Sequence, residues 1–112
     1  MKILKRFLNN LLPKHFLNDS KGHLVAIEDE ETNDFLIETF TLETLYLTGA
    51  KYTVDGWKWL KENENNKKIE FTNWSEGEPD NLHEKCIVFD KNGWRDTSCD
   101  LSYYFICQMD LN

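Results

Sequence analysis

Apolar residues at the start of the chain recur with helical spacing. In residues 2–12, KILKRFLNNLL, Ile3, Leu4, Phe7, Leu8, Leu11 and Leu12 return at i, i+3, i+4 intervals, with Lys2, Lys5, Arg6, Asn9 and Asn10 between them. That pattern predicts an amphipathic helix ended by Pro13. It reads as a helix packed on its own core, although a basic helix of this kind also suits a membrane surface. Asn9 and Asn10 interrupt the apolar run and no small-residue cleavage site follows, so it makes a poor signal peptide. No apolar stretch is long enough to span a bilayer. The chain therefore divides into an amino-terminal helix or extension, residues 1–13, and a domain over residues 14–112.

Within the domain the pattern changes from one short element to the next. Pro13 can open a second helix over residues 14–20, ending at Lys21-Gly22. His23-Leu24-Val25-Ala26-Ile27 reads as a strand, with His23 a packed residue rather than a ligand. Residues 28–40 return to helical spacing, with Glu28 to Glu31 at the amino end, Thr32 as the cap, and Phe35, Leu36 and Phe40 on one face. Leu45 to Leu47 reads as a strand ended by Gly49. Trp57-Lys58-Trp59 reads as a strand after a turn at Asp55-Gly56. Residues 61–69, KENENNKKI, are polar and unpatterned and read as an exposed loop. Phe71 to Trp74 brings the chain back, and Cys86 to Phe89 and Tyr103 to Cys107 read as the last strands.

Composition narrows the function. A chain of 112 residues, 40% hydrophobic and 13% aromatic, suits one compact domain. A net charge of −7 argues against a nucleic-acid partner, which calls for clustered Lys and Arg. Cys86 and Cys99 bracket the turn signal Asn92-Gly93, the arrangement of a hairpin closed by a disulfide; three unrelated buried thiols is the other reading. A disulfide implies an oxidising compartment, hence a secreted or extracellular protein. No cysteine pair has zinc-site spacing. Ser75, Ser98 and Ser102 have no glycine elbow, and His15, His23 and His83 have no metal spacing, so the chain reads as non-catalytic.

The candidate chemistry lies between Gly49 and Cys107. Carboxylates gather around Glu78-Pro79-Asp80-Asn81 in a segment without regular periodicity, which suggests oxygen ligands for a hard cation such as Ca²⁺. Several stretches occur in one order: Gly22-His23-Leu24-Val25-Ala26-Ile27, Asn33-Asp34-Phe35, Gly49-Ala50, Trp57-Lys58-Trp59, Phe71-Thr72-Asn73-Trp74, Gly77-Glu78-Pro79-Asp80-Asn81, Glu84-Lys85-Cys86, Gly93-Trp94-Arg95-Asp96, Cys99 and Phe105-Ile106-Cys107. That order resembles the C-type lectin-like domain, from about residue 14 to 108. The resemblance implies an α+β fold with two helices, small antiparallel sheets and a long upper loop. It places Glu78, Asp80, Glu84 and Asp96 on the positions that hold Ca²⁺ and accept hydrogen bonds from sugar hydroxyls. It also implies a cis peptide bond before Pro79. The function implied is calcium-dependent binding of a glycan or glycoprotein. Glu-Pro-Asp mixes two sugar-selective forms of the motif and does not choose a sugar.

Two departures from the family's pattern matter. Arg95 stands where the family carries a carbonyl ligand, and a cation there would repel Ca²⁺ or pair with Glu84 or Asp80. This favours the alternative, a calcium-independent domain that binds a protein ligand through the same loops. Leu17 stands where the family's first cysteine lies, which leaves Cys107 without its partner.

Overall fold

A computed structural model of the chain describes residues 2–7, 22–40, 43–61, 66–81 and 83–110. The strands are β1 (Lys2–Phe7), β2 (Gly22–Leu24), β3 (Tyr46–Thr53), β4 (Gly56–Trp59), β5 (Lys67–Lys68), β6 (Cys86–Asp90), β7 (Gly93–Thr97) and β8 (Tyr104–Asp110), with one helix, α1 (Glu30–Phe40), among the described residues. The fold is α+β, as expected. The second helix, over residues 14–20, falls outside the described residues, as does Leu17.

The amino end departs from its helical pattern. Residues 2–7 are a strand paired antiparallel with β8, from Lys2 opposite Asp110 to Phe7 opposite Phe105. A helix of eleven residues is marginal without tertiary support. The open edge of β8 offers a ladder of backbone hydrogen bonds to the same segment, and that partner outweighs local periodicity. Residues 8–12 of the predicted helix lie outside the described residues.

β8 is the spine of the sheet. It pairs antiparallel with β1 and β2 and parallel with the start of β3, where Tyr46 and Leu47 lie opposite Tyr104 and Phe105. β3 then pairs antiparallel with both β6 and β4, and its register with β6 shifts between Leu47 and Lys51. Thr48 fills that irregularity: its hydroxyl donates to the Ile87 carbonyl and accepts from the Ala50 amide. Gly49 does not end the strand. It lies inside β3, where a Cβ would come within 2.7 Å of the Leu24 carbonyl oxygen. The sequence signal was a turn glycine; the structure uses it for close backbone approach.

Two further expectations are corrected. The cap of α1 is Asp29, whose Oδ1 accepts from the Thr32 amide at 2.7 Å, so Thr32 receives the cap instead of supplying it. Part of the polar stretch 61–69 is strand, since Lys68 and Lys67 of β5 pair with Lys58 and Trp59 of β4. Glu28, just before the cap, is partly buried. Lys61 and Lys67 each bring an ammonium 3.2 Å from its Oε1 and tie the start of the helix to the β4–β5 region.

The core is organised around Trp94, which is fully buried. Trp59, Phe71 and Trp74 meet it edge to face at 5.7, 6.0 and 5.8 Å, the arrangement that aromatic quadrupoles favour. Its indole N–H points at the Asn33 side-chain oxygen of α1, 3.4 Å away. The backbone on either side is clamped: Trp94 N–H donates to the Asn73 carbonyl, and Ser75 N–H donates to the Trp94 carbonyl. Gly93 makes this possible. It holds φ at +124°, and a Cβ there would meet Ser75 Oγ at 2.7 Å and the Asn73 carbonyl at 3.0 Å. Gly93→Ala therefore combines a disfavoured backbone conformation with a steric clash, and is expected to cost about 2–3 kcal/mol, read as a lower midpoint in denaturant unfolding.

Candidate functional site

The site is built by β7 and the loop before β6. In β7 only Arg95 is exposed, and the strand's hairpin with β6 places Asp96 opposite Ile87 and Arg95 opposite Val88. Successive strand side chains point to opposite faces. Asp96 is accordingly buried, with 7% of its surface exposed, and Arg95 is exposed. The disulfide expected between Cys86 and Cys99 is present and joins the start of β6 to the segment after β7. It closes the hairpin that carries Asp96. Cys107 is free and buried, and burial pushes its thiol up to about 11.

The loop is laced to Asp96 through backbone. Asp80 N–H donates to Asp96 Oδ1 at 3.3 Å and Asn81 N–H donates to Oδ2 at 2.9 Å. In return Asp96 N–H donates to Glu78 Oε1 at 3.3 Å. The Glu78–Pro79 peptide bond is cis. Further along, Asn81 Oδ1 accepts from the His83 amide and the Asn81 carbonyl accepts from the Glu84 amide, a tight turn that brings the chain to β6.

This lacing brings three of the four predicted residues together. Carboxylate oxygens of Glu78, Asp80 and Asp96 lie within 4.8 Å of one another. Glu84 is not in that trio; the turn at Asn81 sets it to one side, where it borders an adjoining cavity. The cavity, of about 140 Å³, is lined by Tyr52, Trp57, Pro79, Asp80, Asn81, Glu84 and Asp96. Arg95 neither enters the trio nor forms a salt bridge with any of these carboxylates among the described residues. Alternation along the strand sets the Arg95 side chain on the face opposite that of Asp96.

Crowding sets the charge state. A hydrogen bond shared with the Asp96 carboxyl, then desolvation and the charges of Asp80 and Asp96, raise Glu78 from the ordinary 4.5 to about 7. Burial would raise Asp96 as well, but the Glu78 hydrogen bond and the amides of Asn81 and Asp80 outweigh it and hold Asp96 below its usual range. Of the two, Glu78 is thus the one that takes up a proton first as pH falls. The donors are all hard oxygens, which fits Ca²⁺ better than zinc or copper.

Two residues of the cavity, Tyr52 and Trp57, were not among the predicted site residues, Trp57 having been read as part of a strand. The signal was there in part: a turn at Asp55-Gly56 makes 52 and 57 cross-strand partners, and that is their register.

The family described as "Lectin C-type domain" matches residues 18–109, and the chain belongs to that family. C-type lectin domain family 4 member A of Mus musculus is 33% identical over 94 residues, covering 79% of this chain and 39% of that protein. The chain thus spans about two-fifths of the length of that curated relative. Among solved structures, the carbohydrate-recognition domain of the human scavenger receptor C-type lectin aligns with a TM-score of 0.75 at 22% identity, covering 98% of this chain and 92% of that one. The C-type lectin domain of murine dendritic cell inhibitory receptor 2, solved in complex with N-glycan, aligns at 0.66 and 25% identity, covering 84% and 81%.

The proton on Glu78 has a measurable consequence. A carboxyl raised in the folded state stabilises the fold fully below its unfolded value, and that contribution is lost as pH rises through the folded value. In chelator the melting temperature should fall as pH rises from 4.5 towards 7, and Glu78→Gln should flatten that fall. Differential scanning calorimetry across the range checks it.

Proposed function

We propose that the chain is an extracellular carbohydrate-binding module that works with Ca²⁺ at Glu78, Asp80 and Asp96, with Glu84 as the outer ligand. The observation that carries this reading is the convergence of the carboxylate oxygens of Glu78, Asp80 and Asp96 within 4.8 Å. Such a group of acids accumulates negative charge that either a proton or a cation must offset. Ca²⁺ takes six to eight oxygens in a flexible sphere, and the ion, when bound, would accept neighbouring hydroxyls of a sugar into that sphere. This chain's part is to orient the oxygens. The Asp80 and Asn81 amides fix Asp96, and Asp96 N–H fixes Glu78. Relatives are lectins by name, and one structural neighbour was solved with an N-glycan, which supports a glycan as the partner.

One observation favours a second reading. Both Asp96 oxygens already accept backbone amides, so the loop has a way to stay closed without an ion. A calcium-independent domain that presents the same loops to a protein partner would need no more than that.

Calcium separates the two readings. At free Ca²⁺ ten times the Kd, one-site binding to the folded state stabilises it by about 1.4 kcal/mol, so the melting temperature should rise by roughly 5–10 °C. Asp80→Asn should weaken the shift and Asp96→Ala should abolish it. No shift at millimolar Ca²⁺ would leave the protein-binding reading. A glycan array probed with and without chelator then identifies the sugar.

A further inference from the structure

The face of the β3–β4–β5 sheet that turns away from Trp57 and Trp59 carries a row of lysines. Lys51 of β3 lies opposite Lys58 of β4, and Lys58 lies opposite Lys68 of β5. Residues directly opposite in a sheet project to the same side. Adjacent strands lie ~5 Å apart, so the three side chains rise from one line across the strands, ~10 Å long. Lys51 and Lys68 are exposed and Lys58 is partly so. Lys58 meets Asp55 at 3.5 Å, and neither Lys51 nor Lys68 forms a salt bridge among the described residues. Beyond Lys51 the row continues with Cys86 and then Thr97, so no acid stands in it.

This arrangement costs stability, because like charges directly opposite each other in a sheet repel. Lysine on an edge strand guards against edge-to-edge pairing, and β5 ends the strand order, which accounts for Lys68. It does not account for Lys51, because β3 is paired there on both sides, with β4 and with β6. Nor is positive charge a general trait of the chain, whose net charge is −7. A line of cations kept on an acidic protein has the shape of a site for a line of anions. A flat anionic surface would bring the surrounding acids up against like charge, whereas a narrow chain can follow the row alone.

We propose that Lys51, Lys58 and Lys68 form a second binding site, for a linear sulfated polysaccharide, on the face of the sheet opposite to Tyr52 and Trp57. Sulfate groups stay ionised near neutral pH, and lysine ammonium groups meet them as compact point charges. The contact needs no divalent ion. The site is separate from the carboxylate trio and does not rest on the calcium reading above.

The test is calorimetric titration of the full chain with heparin, at low salt and in chelator, so that no ion at the carboxylate trio takes part. Heparin should bind, and the logarithm of its affinity should fall against that of salt concentration with a slope of about −2, set by the counterions that three lysines release. Each of Lys51→Gln, Lys58→Gln and Lys68→Gln should weaken binding roughly two- to fivefold, and the triple variant at least about tenfold. Lys91→Gln removes the same charge from a lysine off the row, paired with Glu43, and should leave binding unchanged. Heparin stripped of its sulfates should not bind. Failure of heparin to bind overturns the site, as does an equal loss in Lys91→Gln or binding of the desulfated chain. Equal or tighter binding of polyglutamate, or of phosphatidylserine vesicles, overturns it in favour of an acidic peptide or a membrane. None of these results touches the calcium reading. If the triple variant does not fold, the three single variants decide.

Discussion

The Asp96 carboxylate holds the 78–81 loop in place. It is a buried acid whose two oxygens are met by two consecutive backbone amides. Charge-assisted hydrogen bonds of this kind are among the stronger polar contacts a protein makes, and breaking them in a buried setting is costly. The loop has little else to order it: it holds no helix or strand, and its residues Pro79, Asp80 and Asn81 are exposed. What fixes Asp96 therefore fixes the site. Trp94, two residues earlier, is sealed among three other aromatic rings, and the Cys86–Cys99 bond closes the hairpin behind it. The order in the core is passed to the loop along β7.

The same contacts create an electrostatic problem that the fold does not resolve with its own cations. Glu78, Asp80 and Asp96 are gathered with no lysine or arginine bonded to them among the described residues. Elsewhere the chain neutralises a partly buried acid directly, as Lys61 and Lys67 do for Glu28, which they hold below its ordinary value against the opposing pull of burial. At the trio Glu78 is instead raised to about 7, so it takes up a proton as pH falls below that. A proton satisfies one carboxyl, whereas a divalent ion satisfies several oxygens at once. The contrast between these two acidic clusters sets the trio apart from a structural ion-pair network.

Much of this was legible in the sequence, for identifiable reasons. The Glu78-Pro79-Asp80 motif, Asp96, the disulfide and the hairpin turns are local signals, set by residue types that have few alternatives. The misreadings arose where a distant partner decided the outcome. Lys2–Phe7 has helical periodicity, but β8 supplied an edge. Gly49 looked like punctuation because its neighbour Leu24 is far away in sequence.

Strand geometry also explains why the polar and apolar parts of the site stay in fixed relation. The acids come from β7 and the loop; the rings come from the β3–β4 hairpin. These pieces are far apart in sequence, but β3 pairs with β6 at Lys51 opposite Cys86, and one residue on each side of that pair the Tyr52 amide reaches the Lys85 carbonyl. Cys86 is also one end of the disulfide. A single point thus joins the aromatic wall, the end of the acidic loop and the closure of the Asp96 hairpin. The rings and the acids are thus held in fixed relation through one point of the backbone.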